Sequence, residues 1–164
     1  MVEMKIFGLV LDEKSQTPIL VLKDPQGEIV LPIWIVAMEA MAISLALNQV
    51  SFPRPMTHDL LLNATRALGG AVQRIEVTSI EEGTFFAEIV VEQGGEVRRI
   101  DSRPSDAIAL AVRAEAPVFV AEAVLEEAGT KAQDEQGQAV LKAEDAEKWT
   151  EELEKFSIDT KYKM

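Results

Sequence analysis

Two acids and a guanidinium fall within six residues in Asp101-Ser102-Arg103-Pro104-Ser105-Asp106, between a strand-like run and the apolar stretch Ala107 to Val112. This order sets them at the start of a helix, where unpaired N–H groups and the positive end of the helix dipole gather anionic groups. Upstream, Glu39-Ala40-Met41-Ala42-Ile43-Ser44-Leu45 matches Asp106-Ala107-Ile108-Ala109-Leu110-Ala111-Val112 in residue character, acid first and then apolar or small, at an offset of 67 residues. A second Arg-Pro pair, Arg54-Pro55, precedes His58 and Asp59. Phosphodiester hydrolysis needs a water made nucleophilic, neutralisation of charge growing on the phosphate, and help for the departing oxygen. Glu39, Asp59, Asp101 and Asp106 offer hard oxygen ligands suited to Mg²⁺ or Mn²⁺, and Glu39, Asp101 and Asp106 are the expected metal-holding set. Arg54 and Arg103 can each grip a phosphate through a two-pronged hydrogen bond. His58 is the single histidine, the side-chain type suited to moving protons near neutral pH. The expected catalytic set is therefore Glu39, His58, Asp101 and Asp106, with Arg54 and Arg103 binding substrate.

A structural reading competes with this one. Carboxylates in first helical turns stabilise the helix dipole, and a neighbouring Arg pairs with them as an ion-pair partner. On that reading the chain is a non-enzymatic regulatory or protein-interaction module, or a small-anion (nucleotide) binder using the two Arg-Pro helix starts.

The elements that must position these residues are legible in outline. Met4 to Leu11 and Pro18 to Lys23 read as strands, and Asp24-Pro25-Gln26-Gly27 turns into a third, Glu28 to Ile33. Met38 to Leu47 is apolar or small without period-2 alternation, which predicts a largely buried helix closed by Asn48. A second helix runs from His58 to Leu68, with Thr57 as N-cap and Gly69-Gly70 as stop. The order then repeats: strands Val72 to Ile80, Phe85 to Glu92 and Val97 to Asp101, and helices Ser105 to Ala114 and Glu122 to Ala128, with Val118 to Val120 a short strand between them. The expected fold class is α+β, an internal duplication of a three-strand, two-helix unit in one domain, residues 1–130. Residues 131–164 change to a charged tail in which Trp149, Leu153 and Phe156 share one helical face. Trp34, Phe85 and Phe86 read as core rings.

Composition narrows the function. The 164 residues carry 28 acids against 16 bases, a net charge of −12, which disfavours passive attraction to a polyanion and makes any nucleic-acid contact local or metal-assisted. Cysteine is absent, which excludes thiolate metal sites and a Cys nucleophile. Gly69-Gly70 and Gly94-Gly95 lack the spacing of a dinucleotide fingerprint or a P-loop. With no run approaching about 18 apolar residues, the chain reads as cytoplasmic, without a membrane partner.

Several separated stretches together resemble the bifunctional nuclease family: Leu31-Pro32-Ile33-Trp34-Ile35, Glu39-Ala40, Arg54-Pro55-Met56-Thr57-His58-Asp59-Leu60, Gly83-Thr84-Phe85-Phe86-Ala87, and Ile100 to Ala111. The match spans Lys5 to Gly129. The resemblance implies an intracellular homo-oligomer, a dimer favoured, linked to hydrolysis of both DNA and RNA. The chain departs from the family's usual pattern at Val36-Ala37-Met38, where a Gly-Pro-Phe type turn is common, at Phe86, where Tyr is common, and at Ser102, where Ala is common.

Overall fold

The structure is a computed structural model that describes residues 1–12 and 14–131; the expected tail helix lies outside the described residues. Three strands come first, β1 (Val2–Leu11), β2 (Pro18–Lys23) and β3 (Ile29–Trp34), followed by helices α1 (Ala37–Leu47) and α2 (Thr57–Ala67). Then come β4 (Gly70–Glu81), β5 (Thr84–Gln93), β6 (Glu96–Ser102), α3 (Pro104–Ala114), β7 (Val118–Val120), α4 (Glu122–Ala128) and β8 (Thr130–Lys131). All the strands join one eight-stranded sheet in the order β6-β5-β4-β7-β1-β2-β3-β8, so the class is α+β as expected. Short β7 joins the two sets of strands: it pairs parallel with β4 and antiparallel with the start of β1.

Turn chemistry fixes the hairpins. Glu82 and Gly83 both have positive φ, as do Gly94 and Gly95, the condition for the two-residue turns whose twist matches antiparallel strands. The buried Asp24 carboxylate accepts the Ile29 N–H at 2.8 Å and closes the β2–β3 turn. Gly69, at φ +79, ends α2 in the left-handed conformation.

Alternation places Leu20, Leu22, Leu31 and Ile33 on one side of the sheet with Ile75, Val77, Ala87 and Ile89. Helix α3 packs on β4 and β5, and both α1 and α2 pack on α3. Pro104 opens α3 at a position where a missing N–H costs nothing, and Ala107, Ala109 and Ala111 keep its buried surface narrow. Among the described residues no helix is long and apolar enough to cross a membrane.

Four expectations change. Trp34 is 57% exposed rather than core, because Ile33 and Ile35 take the inward positions and alternation turns the residue between them outward. Phe86 is exposed for the same reason beside buried Ala87, whereas Phe85 packs partly against the core. Helix α1 buries only Ala40, Ile43 and Ser44, so its uniformly apolar sequence leaves Met38 at 70% exposure. At α2 the cap position is Met56, not Thr57, which is the first helical residue.

Ile108 is fully buried on α3, the helix that packs on β4, β5 and α1. Urea unfolding of Ile108→Ala at neutral pH is expected to show a loss of about 2–5 kcal/mol, against less than about 0.5 kcal/mol for Met38→Ala. Equal losses would show that α3 is not the packing centre.

Candidate functional site

Helices α1, α2 and α3 each follow an extended residue, Val36, Met56 and Arg103, and each carries an acid at its third position, Glu39, Asp59 and Asp106. Four unpaired N–H groups at a helix start make this a place for a carboxylate. Glu39 Oε2 accepts the Val36 N–H at 3.1 Å, and Asp59 Oδ2 accepts the Met56 N–H at 2.9 Å. Each has a second oxygen left for a cation. Glu39 Oε1 lies 2.5 Å from Arg103 Nη1, and Asp59 Oδ1 accepts from Arg113 Nε at 2.5 Å.

Asp106 bonds differently. Its Oδ2 receives Arg103 Nε at 2.9 Å and faces Nη2 at 2.7 Å, while Oδ1 meets His58 Nε2 at 3.0 Å. Glu39, Arg103, Asp106 and His58 thus form one continuous cluster, in which Arg103 ties α1 to α3 and His58 ties α2 to α3. Glu39 and Asp106, the two acids matched in sequence, meet on a shared guanidinium.

The cluster is graded from inside to outside. The side chains of Glu39 and His58 are 12% and 14% exposed, Asp106 33% and Arg103 67%. Of the five N–H groups of Arg103, the one on Nε donates to Asp106, and the terminal nitrogens lie against Asp106 and Glu39 on a side chain that is two-thirds exposed. Burial works to raise the Asp106 pKa, but hydrogen bonds from Arg103 and His58, with their charges, outweigh it and hold the carboxyl below its ordinary value. Asp106 is therefore an anion at neutral pH and can only accept. The proton in the 3.0 Å contact belongs to Nε2, so a lone pair on this ring is carried by Nδ1.

The other predicted residues lie elsewhere. Asp101 sits opposite Glu88 on β5, while Ser102 sits opposite buried Ala87. Asp101 therefore faces away from α3 and does not join Glu39 and Asp106. Among the described residues no group of three or more His, Cys, Asp or Glu side chains is arranged to hold a metal ion, so the expected Mg²⁺ or Mn²⁺ set of Glu39, Asp101 and Asp106 is not assembled. Arg54 is exposed in the segment leading to α2 and makes no ion pair among the described residues.

Two features escaped sequence reading. Arg113 holds Asp59, a signal present in the spacing of Arg103, Asp106 and Arg113 at three and seven residues along one helical face. Across the outer face of the sheet, buried Glu76 is bound by Arg74 Nε and Arg99 Nη1, both at 2.6 Å. It requires three strands in register, which no local pattern reveals.

A family model described as the bifunctional nuclease domain matches residues 20–133. An uncharacterized protein of Mycobacterium tuberculosis is 35% identical over 160 residues, covering 96% of both chains. Bifunctional nuclease 1 of Arabidopsis thaliana is 30% identical over 114 residues, which is 67% of this chain and 35% of that protein. Bifunctional nuclease 2 of Oryza sativa subsp. japonica is 28% identical over 117 residues, 69% of this chain and 36% of that one.

A carboxyl whose pKa is lowered by folding stabilises the fold fully above its unfolded value, about 4, and loses that contribution as pH falls through the folded one. The urea midpoint of the wild type should therefore exceed that of Asp106→Asn at pH 7, and the gap should close as pH falls below about 4. A gap that widens on acidification would show that Asp106 is not held as an anion.

Proposed function

The chain belongs to the bifunctional nuclease domain family, and from that premise we propose that it hydrolyses phosphodiester bonds of DNA and RNA, with low sequence preference, at the cluster of Glu39, His58, Arg103 and Asp106. The observation that carries the reading is the two-thirds exposure of a guanidinium paired with two less exposed carboxylates. This exposed guanidinium suits phosphate oxygens, and neutralises charge that grows there during attack. Arg54, exposed in the segment leading to α2, is the other guanidinium we assign to the backbone of the substrate.

His58 is the proton carrier. Asp106 accepts from Nε2 and fixes the ring orientation, so that Nδ1 takes a proton from the attacking water and later returns it to the departing oxygen. Glu39 and Asp106 are positioning residues for Arg103. Asp101, on the other face of the sheet, has no part in this scheme. The oxygens of Glu39 and Asp106 are directed at N–H groups of Val36, Arg103 and His58, so these residues do not fit a carboxylate-held divalent cation and no step runs through one. The net charge of −12 is met locally, by the exposed guanidinium of Arg103. The acid-then-apolar run that Glu39 and Asp106 each open, repeated at an offset of 67 residues, supports an internal duplication as the origin of the paired acids.

A second reading has its own support. The bonds of Arg103, His58 and Arg113 fasten three helices to one another, as a regulatory or scaffolding module would require.

Purified wild type, His58→Ala and Arg103→Ala should be incubated with single-stranded DNA, duplex DNA and RNA, in EDTA and in Mg²⁺. The nuclease reading expects each substitution to slow cleavage by about 10²-fold or more. Equal cleavage by all three preparations would mark a contaminant and overturn it. No cleavage by any, with both unfolding midpoints lowered, would establish the scaffold.

A further inference from the structure

Strand β6 forms one edge of the sheet, and among the described residues nothing pairs with its outer side. The opposite edge is closed by the two-residue strand β8, a common way to blunt an edge. β6 is different. Its seven residues run against β5 without a bulge, it contains no proline, and it exposes Val97 at 62% and Ile100 at 49%. A long, regular edge with apolar side chains is a template for another strand.

We infer that β6 pairs antiparallel with β6 of a second copy of this chain, about a two-fold axis at Ile100. Directly opposed residues share a face of the sheet, so such an axis must pass through a residue that meets itself. The charges decide which one. An axis at Arg98, Arg99 or Asp101 sets a like charge against itself, and an axis at Val97 or Ser102 keeps at most three residues of each strand within the ladder. With the axis at Ile100, Ile100 meets Ile100, each Arg99 meets an Asp101, and five residues of each strand pair, Arg98 to Ser102. Asp101 has Glu88 opposite it on β5, and Arg99, whose Nη1 already bonds Glu76 and Glu88, keeps its Nε for an Asp101 across the new edge.

The same register bears on the cluster described above, in a consequence that rests on the nuclease reading. Arg98 of the partner subunit stands opposite Ser102, one residue from Arg103 and on the face of the sheet that carries α3. Each copy then adds a guanidinium to the other's phosphate-gripping rim, where this acidic chain is otherwise poor in positive charge.

The chain has no cysteine, which makes the register directly readable. Sedimentation equilibrium of the wild type at micromolar concentration should give a dimer. Under mild oxidation, Ile100→Cys should form a covalent dimer on non-reducing gels, since opposed Cα atoms lie about 4.5–5.5 Å apart. Val97→Cys should not, because its copies fall about 20 Å apart along the strands. Ile100→Lys should sediment as a monomer with unchanged circular dichroism. A monomeric wild type, a Val97→Cys variant that cross-links better than Ile100→Cys, or a dimer in which Ile100→Cys stays uncoupled would overturn the inference. None of these readouts depends on nuclease activity.

Discussion

The Arg103 guanidinium is the joint on which the three central helices depend. Glu39 is nearly buried and Asp106 partly so, and a carboxylate withdrawn from water needs a hydrogen-bonding cation beside it. Arg103 serves both from the end of β6, at the cap position of α3. A planar group with donors on three nitrogens can do this while still presenting N–H groups outward; an ammonium at the same position would meet one carboxylate well and the other poorly. The joint is therefore also the cluster's contact with solvent.

Function and folding share residues here because of where helices begin. The third position of a helix attracts an acid for reasons of capping alone, and Glu39 and Asp59 each bond back to the residue before their helix. Asp106 has the same position with both oxygens turned to side chains instead. Its environment is the one that a proton-handling histidine needs: an anion held below its ordinary pKa by neighbours, bonded to a mostly buried ring. The outer face of the sheet solves a similar problem without reactive geometry, since Glu76 is enclosed by Arg74 and Arg99 and has no histidine within bonding reach.

Much of this was legible in the sequence, and the limits have physical causes. Strand and helix order followed from alternation, turn residues and apolar runs, and the pairing of Glu39 with Asp106 through Arg103 was foreshadowed by the repeated acid-then-apolar pattern. Asp101 was misplaced because a strand alternates faces: one residue's difference from Ser102 carries it through the sheet. The same parity turned Trp34 outward. Arg113 was missed although its helical spacing from Arg103 and Asp106 was visible, because its partner Asp59 lies on another helix. The metal expectation assumed that acids near one another in type and number would converge; the fold gives two of them to a guanidinium instead.

The central claim is that Arg103 and His58 meet a phosphate, and the chain's single histidine allows it to be tested at one nucleus. The decisive measurement is the ¹⁵N spectrum of the His58 imidazole during titration with a hydrolysis-resistant phosphorothioate oligonucleotide, in the wild type and in Arg103→Ala. A saturable shift of Nδ1 in the wild type that disappears in Arg103→Ala is the predicted result. Ring signals that stay fixed in the wild type at saturating oligonucleotide would contradict the account.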